Sequence, residues 1–314
     1  MQKKIYFKMT AFFIFSFFMV EVANSAPRSY QIGDQGKQFV TKSWLDAVGE
    51  NEYKGAFATA EIIFKDQGGF SSGTGFYVGK FSNTHLLVTN NHVIPNSKTC
   101  ENVGAIFFPF SKQKIKCKRL IRTWKSIDTS IIEIELSAKF EKFLSDKALT
   151  FDFNSPVEKG TPLMTFGYGY FKNNNRFPKK PSHPWSNQAN RIKVSHDLDC
   201  KVFSGSNDIR ILNDVYLVST GCDGSPGDSG SAVLSRETGL ILGIASKAVS
   251  SGQAWRTNSS SLDKVYNGAG PVDLVWKPMW TFMVPSQKVN EIIVKDLPNM
   301  SHEDQKILRP LFHL

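Results

Sequence analysis

Gly221-Cys222-Asp223-Gly224-Ser225-Pro226-Gly227-Asp228-Ser229-Gly230-Ser231-Ala232 is the stretch whose reading decides the fold. It sets Ser229 among glycines, with Asp228 before it and the apolar run Ala232-Val233-Leu234 close after it. A serine hydroxyl is a weak nucleophile unless a base takes its proton as it attacks. Gly227 and Gly230 let the backbone bend sharply. Such a bend can aim the N–H groups of Gly227 and Ser229 at one point, as an oxyanion hole requires. Taken alone, the stretch reads equally well as a Gly/Ser/Asp-rich turn between strands. The rest of the chain has to supply a base and an acid to orient it.

Upstream, Leu86-Leu87-Val88-Thr89-Asn90-Asn91-His92 runs an apolar strand into a histidine. Imidazole suits general-base work because its pKa lies near neutrality. Asp128 stands at the mouth of a second apolar strand, Thr129-Ser130-Ile131-Ile132-Glu133-Ile134, where a carboxylate can hold the other ring nitrogen. By itself His92 reads as a hydrogen-bonded surface or core residue, and Asp128 as a turn or cap residue. Together they give the chain order His92, Asp128, Ser229, one of the known orders for such a triad.

At this point the chain resembles the trypsin/chymotrypsin-like serine peptidases, within them the bacterial branch typified by the staphylococcal glutamyl endopeptidase and the HtrA peptidases. The residues that carry the resemblance are Ser72-Gly73-Thr74-Gly75-Phe76, Val88-Thr89-Asn90-Asn91-His92-Val93, Ile127-Asp128-Thr129-Ser130-Ile131-Ile132 and Pro226-Gly227-Asp228-Ser229-Gly230-Ser231. The resemblance implies an all-β fold of two perpendicular six-stranded Greek-key barrels with the site between them. His92 and Asp128 would come from the first barrel and Ser229 from the second, with Gly227 and Ser229 donating to the oxyanion. It also implies that Ser246, Lys247 and Ala248 pair with a substrate backbone. Asp223, six residues before Ser229, either selects Arg or Lys or merely closes a turn.

The chain departs from the digestive pattern in having no Ile-Val-Gly-Gly start after a basic residue. Asp228, if buried, then needs another cation or hydrogen-bond donors, such as a new N-terminus at Ala26 or a lysine. The flanking cysteines of the digestive enzymes are also absent, so their disulfides do not transfer.

The resulting division is a signal segment over 1–25, an N-terminal arm over 26–54, a first barrel over 55–151, a second barrel with a C-terminal helix over 152–298, and a tail over 299–314. Lys3, Lys4 and Lys8 precede the apolar run Met9 to Val20, and Ala23-Asn24-Ser25 is a small-x-small cleavage site. That run is about 18 Å long as a helix, too short for the roughly 30 Å of a bilayer core. Export to a periplasmic or extracellular space follows, with no stable membrane insertion after cleavage. Ser43 is a candidate cap for a short helix in the arm, and Ser286 for the C-terminal helix with its Val289, Ile292 and Ile293 stripe.

Four cysteines in an exported chain suggest two disulfides, and three pairings are open to Cys100, Cys117, Cys200 and Cys222. The local pairing, Cys100–Cys117 with Cys200–Cys222, is the simplest. No Cys-x-x-Cys pair points to a metal, and no cofactor is implied. The formal charge is +10, and 41% of residues are hydrophobic, enough for a real core. No Lys/Arg stripe with interleaved aromatics suggests nucleic acid, so the charge reads as a solubility charge. The expected partners are protein or peptide substrates. A peptidase-fold binding or scaffold protein is the alternative, motivated by loop-rich stretches at 170–190 and 249–273. An esterase using the same triad is a third.

Overall fold

The computed structural model describes residues 30–32, 37–66, 69–111, 113–169, 192–248, 255–257 and 281–312. The expected signal segment, the 170–190 loop and most of the 249–273 loop lie outside them. The chain begins with β1 (Tyr30–Ile32), β2 (Gln38–Phe39), α1 (Lys42–Leu45) and α2 (Glu50–Ala58). The first sheet follows: β3 (Thr59–Asp66), β4 (Gly69–Phe81), β5 (Thr84–Thr89), α3 (Ser97–Glu101), β6 (Val103–Phe107), β7 (Cys117–Trp124) and β8 (Thr129–Ile134). After α4 (Ala138–Leu144) come β9 (Leu163–Gly167), β10 (Lys193–Ser195), β11 (Arg210–Leu212), β12 (Val215–Thr220), β13 (Ala232–Ser235) and β14 (Ile241–Ala248). Then follow β15 (Trp255–Thr257), β16 (Thr281–Pro285), α5 (Ser286–Asp296) and α6 (His302–Leu308).

Two antiparallel sheets carry the fold. The first is six-stranded in the order β6-β3-β4-β5-β8-β7, as expected for a first barrel. The second runs β11-β12-β16-β14-β13-β9-β10-β2. It has eight strands rather than six because the arm strand β2 and the short hairpin strand β11 extend its two edges. β5 and β8 pair in the middle of the first sheet and are buried along their whole length. That is why they read as near-continuous apolar runs rather than alternating ones.

Phe76, Val88 and Ile131 of the first sheet share one core cluster with Phe166, Leu234 and Ile244 of the second. The C-terminal helices complete it. Val289 and Ile293 of α5 are buried, as the helical stripe required, although Pro285 stands at the cap position and Ser286 Oγ instead donates to the carbonyl of Asp152.

Two parts of the chain read as polar ends are built into the body. α2 starts in the arm and runs past its expected end at residue 54, and its last turn, from Gly55 to Ala58, is buried. α1 begins behind Thr41, which accepts from the N–H of Trp44, rather than behind Ser43. The 299–314 segment, expected as a tail, forms α6 and buries Ile307, Leu308, Leu311 and Phe312 in the common core. Their i, i+1, i+4, i+5 spacing is a helical stripe too short to stand out alone. Among the described residues, no helix is long and apolar enough to cross a membrane.

The structure bonds Cys100 to Cys117 and Cys200 to Cys222. The first staples α3 to β7. The second ties the segment after β10 to the loop after β12.

Candidate active site

β5 ends at Thr89 and hands the chain to a tight turn. The carbonyl of Asn90 accepts from the N–H groups of Val93 at 3.2 Å and Ile94 at 3.1 Å, and this turn carries His92. Asn90 Nδ2 donates to the carbonyl of Asp128 at 2.8 Å, which ties that turn to the start of β8. Asp128 has φ +39°, the left-handed region in which Asp is one of the tolerated residues. Its carboxylate accepts from His92 Nδ1 at 2.8 Å, from the His92 N–H at 3.0 Å and from Ser246 Oγ at 2.6 Å. Asp128's side chain is 5% exposed and that of His92 is 46% exposed. A carboxylate only accepts, so the His92 proton sits on Nδ1 and the neutral ring keeps its lone pair on Nε2.

The serine turn hangs between the two sheets. Thr74 of β4 donates from its N–H to the carbonyl of Ser229 at 2.9 Å and from Oγ1 to that of Gly227 at 2.7 Å. Ala245 of β14 accepts from the N–H of Gly230 at 2.9 Å and donates to the carbonyl of Ser231 at 2.9 Å. Gly227 at φ +102° and Gly230 at φ +89° occupy conformations open to glycine. A Cβ at Gly230 would also overlap the carbonyl of Thr74. Among the described residues, the N–H groups of Gly227 and Ser229 have no acceptor.

Asp228 turns inward, and its partner is Lys37 of the arm. Lys37 Nζ is ion-paired with Asp228 Oδ2, and the lysine side chain is 1% exposed. Of the two sources open to the sequence, a new terminus or a lysine, the structure takes the lysine. Oδ2 also accepts from the Ser225 N–H at 2.8 Å and Ser225 Oγ at 2.7 Å, and Oδ1 from the Gly169 N–H at 2.9 Å. Burial pushes the Asp228 carboxyl up, but Lys37, Ser225 and Lys193 outweigh it and hold it below the usual carboxylate range. The carboxylate lies so close over Gly169 that a Cβ there would overlap it. Lys37, Gly169 and Lys193 carry no motif of their own, and Thr74 lay in the Ser72–Phe76 segment of the resemblance without a role assigned to it. Only the unexplained charge of Asp228 hinted at the first.

A pocket of about 420 Å³, open mouth included, is lined by Asp223, Ser225, Ser229, Val233, Ser246 and Phe282 among others. Asp223 is 2% exposed, and its N–H donates to Ser195 Oγ at 2.9 Å. The disulfide-bonded Cys222 also lines this pocket. Lys247 and Ala248 follow Ser246 in β14 and pair with Phe282 and Thr281 of β16. Among the described residues, no strand pairs with 246–248 on the opposite side. Ser229, Ser246 and Asp223 thus share one pocket, and Ser246 links it to the His92–Asp128 pair.

A family model described as a trypsin-like peptidase domain matches residues 73–244, more than half of the chain. The chain belongs to the trypsin-like peptidase family. Among solved structures, it is similar to the HtrA-type protease AlgW with a tripeptide, at 14% identity and a TM-score of 0.47, over 79% of this chain and 62% of that one. This chain therefore spans less than two thirds of that protein. It is also similar to the Rv3671c protease from M. tuberculosis in its active form, at 14% identity and a TM-score of 0.47, over 85% of this chain and 91% of that one. A third similar structure is the serine endoprotease from Yersinia pestis, at 12% identity and a TM-score of 0.44, over 82% and 67% of the two chains. No curated protein matches the sequence. Within this trypsin-like peptidase, His92, Asp128 and Ser229 fall inside the matched segment. Lys37, Ser246 and the C-terminal helices fall outside it.

Proposed function

We propose that this trypsin-like peptidase is an exported serine endopeptidase with His92, Asp128 and Ser229 as its triad. The observation that carries the reading is the His92–Asp128–Ser246 relay, which leaves a lone pair on an exposed His92 Nε2. Ser229 Oγ attacks the scissile carbonyl carbon while His92 Nε2 takes its proton. Asp128 keeps its bond to Nδ1–H and stabilises the imidazolium. The N–H groups of Gly227 and Ser229 receive the oxyanion. His92 then protonates the leaving amine, and water, activated by the same ring, releases the acyl group. The substrate backbone adds to β14 along 246–248.

Asp223 gives the pocket wall a buried carboxylate, which favours an entering cationic side chain over an anionic one. Cleavage after Arg or Lys is the specificity this supports. A fluorophosphonate probe is expected to label Ser229, and Ser229→Ala to abolish both labelling and peptide hydrolysis. Labelling that survives the substitution would refute the assignment. Cleavage-site mapping on a peptide library tests the Arg/Lys preference. N-terminal sequencing of the exported form is expected to begin at Ala26.

A further inference from the structure

We infer that Lys37 is the positioning cation of the serine turn, so that the docked N-terminal arm holds the oxyanion donors in place. The inference rests on the peptidase reading above. Lys37 and Asp228 are 191 residues apart, and the ion pair forms because the arm is seated as a strand. Phe39 pairs with Lys193 and Gln38 with Val194. Val40 donates to the carbonyl of Ile192 at 3.0 Å and is buried in the core shared by both sheets. The same docking places the Phe39 ring 5.3 Å from Lys193 Nζ, which donates to the carbonyl of Gly169 at 2.5 Å. Gly169 in turn donates to Asp228. Both cations near Asp228 are therefore held by the arm, one directly and one through β10.

A buried carboxylate stripped of its cation is strongly unfavourable, and it is relieved by taking up a proton or by rotating toward water. Asp228 lies between Gly227 and Ser229, so that rotation turns the peptides whose N–H groups are the proposed oxyanion donors. Lys37 removes the reason to rotate. The segment doing this lies outside the matched peptidase residues, and cleavage after Ser25 leaves it on the mature chain.

The test uses the full exported chain with Lys37→Met, which keeps the apolar stem and deletes the charge, together with Lys37→Arg, Asp228→Asn and the Lys37→Met/Asp228→Asn double variant. Lys37→Met is expected to lower kcat roughly tenfold or more, with KM changed less than about threefold. Amide hydrogen exchange over 225–231 should quicken. Lys37→Arg should recover part of kcat. The double variant should be no slower than the slower single variant, the mark of two groups acting as one. Lys42→Met, an exposed control in the same arm, should change neither kcat nor exchange. Wild-type kcat and exchange in Lys37→Met, or fully additive losses in the double variant, would overturn the inference. If Lys37→Met fails to fold, the double variant, which buries no lone charge, decides: a folded double variant that turns over no slower than Asp228→Asn supports the role, and one that also fails to fold, or is slower than Asp228→Asn, overturns it. If the wild-type protein itself hydrolyses no peptide, the peptidase reading fails. The exchange measurement then still decides whether Lys37 orders the turn.

Discussion

His92 Nδ1 and Ser246 Oγ converge on the same oxygen of Asp128, at 2.8 and 2.6 Å, while the His92 N–H takes the other. Three donors satisfy a carboxylate that water barely reaches. Ser246 comes from the second sheet, and its bond locks the histidine's partner to the wall of the serine pocket. Ser246→Ala is expected to lower kcat by about ten- to a hundredfold, since a hydrogen bond to a buried charge contributes on the order of 1.5–3 kcal/mol. Steady-state kinetics beside a thermal melt checks it, and the loss should appear in kcat with little change in KM. The three proposed triad residues were legible because each sits in a short, locally constrained motif. Ser246 was legible only as a substrate-pairing position. Its bond to Asp128 depends on how two sheets meet.

At the scale of elements, the C-terminal helices clamp the edge strand of the first sheet. Arg119 of β7 donates from Nε to Glu133 at 2.9 Å, from Nη1 to Asp304 at 2.8 Å and from Nη2 to Glu303 at 3.3 Å. Arg122 Nε and Trp124 Nε1 both donate to Asp296 at the end of α5, at 3.1 and 3.0 Å. Burial pushes the Asp296 carboxyl up, but Trp124 and Arg122 outweigh it and depress it below its ordinary value. A carboxyl depressed in the folded state binds its proton less readily there than in the unfolded chain. Its stabilisation is complete above the unfolded value of about 3.9 and is lost as pH falls through the folded one. Asp296→Asn is therefore expected to cost on the order of 1 kcal/mol at pH 7 and to flatten the fall in stability below about pH 4. Thermal melts from pH 7 down to pH 3 read both effects. α2 and α6 were not read as helices, because each is short, lies beside polar sequence and gains its stability from packing rather than from propensity.

For the whole molecule, two disulfides restrain loops in both halves, spanning 17 and 22 residues of separation. In the chain-entropy account, closing loops of this size contributes about 3 kcal/mol each. Reduction is expected to lower the urea midpoint, with each Cys→Ser pair accounting for part of the change. Only loss of Cys200–Cys222 should also reduce turnover, because Cys222 lines the serine pocket and Cys100–Cys117 lies at α3 and β7, away from it. Activity lost equally with either bridge would mean that global unfolding, not pocket shape, is being read.

What the sequence alone determined is what neighbouring residues impose on one another. Short apolar runs set the strands, glycines the serine turn, and strand-end placement the histidine and aspartate, so the all-β class and the three candidate residues were readable. The tertiary structure decided the rest: which cysteines pair, that Ser246 faces Asp128, that the C-terminal segment closes the core, and that Lys37 is the missing cation of Asp228. Each of these joins groups on different elements whose approach depends on the collective burial of a core. A lysine has no local signal for the carboxylate it will meet 191 residues away.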